Sequence, residues 1–90
     1  MSHLSTNTAL FARVRRISGQ LAAVDRALEA DVDCATVLQQ VAAIRGAVNG
    51  LMDEILEAHL REHVAAPHLD DAARLQGADE VIAAIRRYAK

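Results

Sequence analysis

What the chain lacks narrows it first. Its one cysteine, Cys34, excludes a disulfide within the chain. Its one proline is Pro67, and Phe11 and Tyr88 are the only members of the Phe/Tyr/Trp class. No apolar run reaches the ~20 residues of a membrane span. A lone cysteine without a signal peptide points to a reducing cytoplasm. The formal net charge of −2 excludes a uniformly basic polypeptide. What is present is mostly alanine and aliphatics, and hydrophobic residues make up 52% of the chain. That composition reads as all-helical.

The 90 residues make one small domain. A chain this short buries only about 60–65% of its unfolded surface, so it gains from oligomerisation or a metal. Residues 1–7 are polar and aperiodic and read as a flexible N-terminal arm. Leu10, Val14, Ile17, Leu21, Val24 and Leu28 then recur at three- and four-residue steps, which predicts an amphipathic helix over 6–29. Asp31 and Asp33 are candidate caps for a second helix over 33–64, carried by Val37, Val41, Ile44, Val48, Leu51 and Ile55. Gly46 and Gly50 stand four apart inside it and suit close approach of another helix. Pro67 ends it, a connector with Gly77 follows, and Val81, Ile82, Ile85 and Tyr88 predict a third helix over 78–89.

The second helix is long for its chain. About 31 residues make a rod of about 45 Å. A monomer of this size has a radius of gyration near 12 Å, so the rod needs a partner chain to cover it.

Near its end lies the segment 57–63, EAHLREH. His59 and His63 are four apart and therefore neighbours on one helix face. Histidines near a helix C-terminus can be ordinary surface residues, since the dipole there favours cations. The same spacing is also a bidentate metal motif. With Glu62 the pattern reads H-x-x-E-H, that of inverted zinc peptidases. Such a peptidase needs a third ligand on a further helix and a substrate cleft. Only 27 residues follow His63, too few for that scaffold, so the reading is not an enzyme.

Cys34 is the one soft ligand, at the head of the second helix, although a cysteine there can also be merely a small apolar residue. It stands 25 residues before His59, about 38 Å along a straight helix. The two cannot share an ion within one chain. If two second helices run antiparallel, Cys34 of one meets His59 and His63 of the other, and two-fold symmetry creates two sites. His3 adds another imidazole, and removal of the initiator methionine would place the Ser2 amine beside it. His68 reads as a solvated loop residue.

Arg13 and Arg16 share a face of the first helix and Arg15 is offset from both. Three arginines usually form only a solvated face. Repeated by symmetry in an oligomer, they present more cations to phosphate and become a candidate binding surface. No helix-turn-helix signature is present, so backbone and shape readout suit this surface better than a recognition helix.

The segments RVRRISGQLAAVDRAL, CATVLQQVAAIRGAVNGLMDEILEAHLREHV and IAAIRRYAK closely resemble the CsoR/RcnR/FrmR family of metal- or formaldehyde-responsive bacterial transcriptional repressors. The resemblance implies a three-helix protomer with a long central helix, paired antiparallel and assembled as a disc-shaped dimer of dimers. It places sensing ligands at His3, Cys34, His59 and His63. That set resembles the nickel/cobalt branch; the copper branch has cysteine, and the formaldehyde branch glutamate, where this chain has His63. It places DNA contacts at Arg13 and Arg16, with Arg15, Gln20 and Arg45 as secondary candidates.

The donor chemistry points the same way. Three imidazoles, a thiolate, an amine and a backbone amide supply the expanded N/S shell of Ni(II) or Co(II), whereas Cu(I) prefers fewer and softer ligands. Zn(II) can also bind, using four of these groups. The expectation is therefore a cytoplasmic homotetrameric repressor, released from double-stranded operator DNA by Ni(II) or Co(II) and controlling a metal-efflux gene. A formaldehyde sensor using Cys34 and, more remotely, a metal-storage helical bundle are the alternatives.

Overall fold

The first long helix begins where an asparagine can cap it. In the computed structural model, which describes residues 3–88, a single turn of 3-10 helix (His3–Thr6) leads into α1, Thr8–Glu29. Asn7 is extended, and its side-chain oxygen accepts the Leu10 N–H at 3.2 Å, satisfying one of the donors a helix start leaves open. At the other end, Asp31 N–H donates to Leu28 C=O and Val32 N–H to Ala27 C=O. This double closure is a Schellman motif, and it puts Asp31 at φ 55°, where glycine is usual and aspartate is among the tolerated exceptions.

Asp33 then starts α2, Cys34–His63. Its carboxylate accepts the Thr36 N–H at 3.2 Å and the Thr36 hydroxyl at 2.7 Å. The hydroxyl bond first, then the backbone bond, hold the Asp33 carboxyl below the ordinary carboxylate range. Three α-helices and no strand are present among the described residues, with the central helix the longest at 30 residues. None of them is long and apolar enough to cross a membrane.

The chain divides into two compact units, 1–53 and 54–90. In the first, α1 runs antiparallel to the early turns of α2. Arg13 lies against Gly50, while Gln20 and Ala23 share a lining with Gln40 and Ala43. Gly46 has nothing within 4 Å of the position its Cβ would take, and Gly50 meets only the Arg13 side chain. Neither glycine serves a close backbone approach within this chain. Leu10 and Ala27 are the buried residues of this unit among those described.

In the second unit the end of α2 packs on α3, Asp71–Tyr88. This helix starts seven positions before the expected 78. Asp70 caps it, its carboxylate accepting the Ala73 N–H at 2.8 Å, and the helix runs straight through Gly77. That glycine is a packing requirement rather than a break. A Cβ there would collide with the His63 carbonyl and lie 2.7 Å from the His63 carbonyl carbon. Arg74, one turn into α3, holds the end of α2. Its guanidinium donates to the carbonyls of Val64, Ala66 and Leu69, at the end of α2 and in the connector that follows it. Ala58, Gly77 and Val81 are the buried residues here among those described.

Three expectations follow for stability. Gly77→Ala should lower the urea midpoint by the equivalent of about 1–3 kcal/mol, the usual cost of overpacking. A glycine without that contact would instead gain about 1 kcal/mol on becoming alanine in a helix, so the sign of the change decides. Arg74→Ala should cost a similar ~1–3 kcal/mol by leaving carbonyls unsatisfied. The Asp33 cap should be pH-sensitive. Its folded value lies below its unfolded one, so its contribution is complete above about pH 4 and is lost as pH falls through the lowered value. Asp33→Asn keeps a capping acceptor without a titrating carboxyl. Urea melts across that range should show a shallower acid decline for the variant; identical declines would remove Asp33 from the account.

Candidate functional site

His59 and His63 project from successive turns of α2, and their ring centroids are 4.7 Å apart. His59 is half-buried. Its Nε2 lies 3.3 Å from the Gly77 carbonyl oxygen and 3.6 Å from Glu80 Oε1, both on α3. In the tautomer protonated at Nε2, His59 donates to that carbonyl, and Nδ1 remains available to a ligand. His63 is more exposed, and its Nε2 is 3.6 Å from Glu62 Oε2. The close approach at Gly77 therefore does two jobs: it packs α3 against the end of α2 and brings α3's carbonyl to the His59 ring.

The remaining sensing candidates stand elsewhere. Cys34 is exposed, in the first turn of α2 and in the other compact unit. The His3 backbone forms part of the 3-10 turn. The Ser2 amine falls outside the described residues. Among the described residues, no three His, Cys, Asp or Glu side chains converge as a metal site. One chain thus offers a pair of adjacent imidazoles and, separately, a thiol. As donors these suit Ni(II), Co(II) or Zn(II). As an arrangement they are a fraction of a coordination shell.

Arg13 and Arg16 line one cleft of about 250 Å³ on the first unit, together with Gln20 from α1 and Ala43 and Ala47 from α2. The α2 wall is made of small residues, so the two guanidinium groups and the amide dominate it. Gln20 Oε1 is buried without a hydrogen-bond partner. Arg15 is not part of this lining, and its guanidinium lies 5.9 Å from the centroid of the Phe11 ring. Arg45 is exposed and is not part of the lining. His68 is exposed in the connector, as expected of a solvated loop residue.

Sequence reasoning missed Arg74, Glu80 and the contact role of Gly77. Glu80 lies 21 positions after His59, and no local pattern links the two. An arginine early in a helix ordinarily opposes the dipole, which was the available signal that Arg74 binds something outside its own helix.

Comparison with known proteins places these features. The description "metal-sensitive transcriptional repressor" matches residues 6–87. A Serratia marcescens protein encoded in the 5′ region of bioA, itself uncharacterised, is 50% identical over 91 aligned positions covering both chains fully. The transcriptional repressor RcnR of Salmonella paratyphi B is 43% identical, again over the whole of both chains. Among solved structures, a glutamate-to-histidine variant of the formaldehyde-responsive regulator FrmR from Salmonella enterica serovar Typhimurium is similar at a TM-score of 0.84. It is 42% identical and the likeness covers 90% of this chain and 91% of that one.

Proposed function

Because the chain belongs to the metal-sensitive transcriptional repressor family, a family of regulators and not of enzymes, we propose that it is a homotetrameric repressor that leaves operator DNA when Ni(II) or Co(II) binds between protomers. The ligands are His3, Cys34, His59 and His63, with the Ser2 amine as a further donor. The observation that carries this reading is the division of the donors. His59 and His63 are adjacent late in α2, Cys34 is exposed at its start, and no third donor joins either group among the described residues. Antiparallel pairing of two α2 helices brings the thiolate of one chain to the imidazoles of the other and completes two equivalent sites.

Nickel or cobalt, when bound, supplies the free energy that ties protomers and N-terminal segment together. The chain's own residues set how that is felt. Gly77 and Glu80 orient the His59 ring from α3, so a ligand gripping His59 acts on α3 as well as α2. DNA is held by Arg13 and Arg16 on α1, with Arg15 and Gln20 of the same helix and Arg45 of α2 as secondary contacts. Metal and DNA then compete by linkage, each weakening the other by the same factor, typically about 5–150-fold. Zn(II) binds with four of the donors and recruits the N-terminal segment less. A metal-efflux gene is the regulated function, and the cytoplasm, where the DNA is, the compartment.

A second reading has its own support. The likeness to FrmR and the exposure of Cys34 both fit a formaldehyde sensor, in which the thiol adds to the aldehyde carbon. His63 favours the metal reading, because it offers a second imidazole beside His59.

A mobility-shift titration separates the two. Ni(II) or Co(II) should release a duplex spanning the DNA upstream of the protein's own gene at lower occupancy than Zn(II), with Cu(I) and formaldehyde ineffective. His3→Ala should keep Zn(II) binding and lose most of the Ni(II) or Co(II) response. Release by formaldehyde, abolished in Cys34→Ala, would replace the metal reading. The double variant Arg13→Ala with Arg16→Ala should weaken DNA binding and flatten its salt dependence while metal binding is unchanged.

A further inference from the structure

Two glycines on α2, Gly46 and Gly50, differ in what surrounds them. Around Gly46 there is open space. At Gly50, a Cβ would lie 2.8 Å from Arg13 Nη1 and 3.7 Å from Arg13 Cζ. The Arg13 guanidinium occupies the volume that any other residue at 50 would fill. A helix interior disfavours glycine relative to alanine, so a use for the missing side chain has to be local. The use on view is a seat for the guanidinium beside Ala47, in the cleft that also holds Arg16 and Gln20.

We infer that Gly50 is a positioning residue for DNA binding: by leaving its side-chain volume empty it holds the Arg13 guanidinium across α2, in place for a backbone phosphate. This rests on the repressor reading above. A long arginine side chain ordinarily loses rotamer freedom when it binds, and a seat that orders it beforehand reduces that cost. Ala43, Ala47 and Gly50 give α2 a small, apolar wall beside Arg13 and Arg16. A weakly polarisable wall also concentrates the field of the two cations there. The seat is sensitive to one carbon atom. Since the atom in the way is the far end of a flexible side chain, Gly50→Ala moves the guanidinium and spares the fold.

The experiment compares Gly50→Ala with Gly46→Ala, two identical changes on one helix. Both should fold and melt at or above the wild-type temperature. Binding of a labelled duplex spanning the DNA upstream of the protein's own gene is measured at several salt concentrations. Arg13→Ala removes a charge-assisted phosphate bond, a loss on the order of tenfold. Gly50→Ala should lose a severalfold part of that, Gly46→Ala none. In an Arg13→Ala background, Gly50→Ala should have no further effect, since the group it displaces is gone. Independently of DNA, the Arg13 Nε–Hε resonance should shift in Gly50→Ala and stay put in Gly46→Ala. Undiminished affinity in Gly50→Ala, an equal loss with and without Arg13, or an unmoved Arg13 resonance would each overturn the positioning role. A wild-type protein that does not bind the duplex overturns the repressor reading instead, and the resonance still decides whether Gly50 seats Arg13.

Discussion

The apolar stripe of α2 exceeds what its own chain covers. Leu38 is 64% exposed, and Val41, Val48 and Ile55 along the same helix are exposed too. Leu28 on α1 and Leu75 on α3 are each 64% exposed. Against this, the buried apolar side chains among the described residues are Leu10, Ala27, Ala58 and Val81, two of them alanines. Burying one large aliphatic side chain contributes roughly 1.5–3 kcal/mol, so the surface left open outweighs the core enclosed. A partner helix laid along α2 removes the imbalance. The proposed sensor site uses the same pairing, because helices that covered each other's stripe would also supply each other's ligands.

The proposed effector and DNA sites occupy different helices. His59 and His63 belong to the end of α2, with the His59 ring held from α3 by Gly77 and Glu80, while Arg13 and Arg16 belong to α1. Such separation is what an allosteric repressor requires, since a ligand competing directly for the DNA contacts would need no helical assembly. The packing at His63 and Gly77 is tight enough to transmit a change, because a methyl group does not fit there. The face around Gly46 is open.

Much of this was legible in the sequence, and the exceptions share a cause. The three- and four-residue stepping from Leu10 to Leu28 and from Val37 to Ile55 carries the helices, because amphipathic periodicity is local information. Asp33 was readable as a cap for the same reason. The start of α3 was not. Gly77 looks like a break, and only the His63 carbonyl, 14 positions earlier, explains a glycine inside the helix. Arg74 and Glu80 were invisible because their partners lie in α2 and the connector. Gly46 and Gly50 were read as one helix-approach motif, yet they have different surroundings, and the Arg13 side chain that distinguishes them comes from another helix. The proposed ligand positions rest on residue types and on the resemblance, and their proposed division between chains rests on helix length.

Complementation between damaged chains tests that division most directly. Cys34→Ala and His59→Ala proteins are each loaded with Co(II), whose thiolate charge-transfer absorption reports a bond to Cys34. Alone, the Cys34→Ala protein should show no such band and the His59→Ala protein at most a weakened one, and neither should release DNA. Unfolded and refolded together, they should regain the full band, because a chain that keeps its histidines pairs with a chain that keeps its thiol. No recovery in any mixture would contradict a site shared between antiparallel α2 helices, and the proposed mechanism with it.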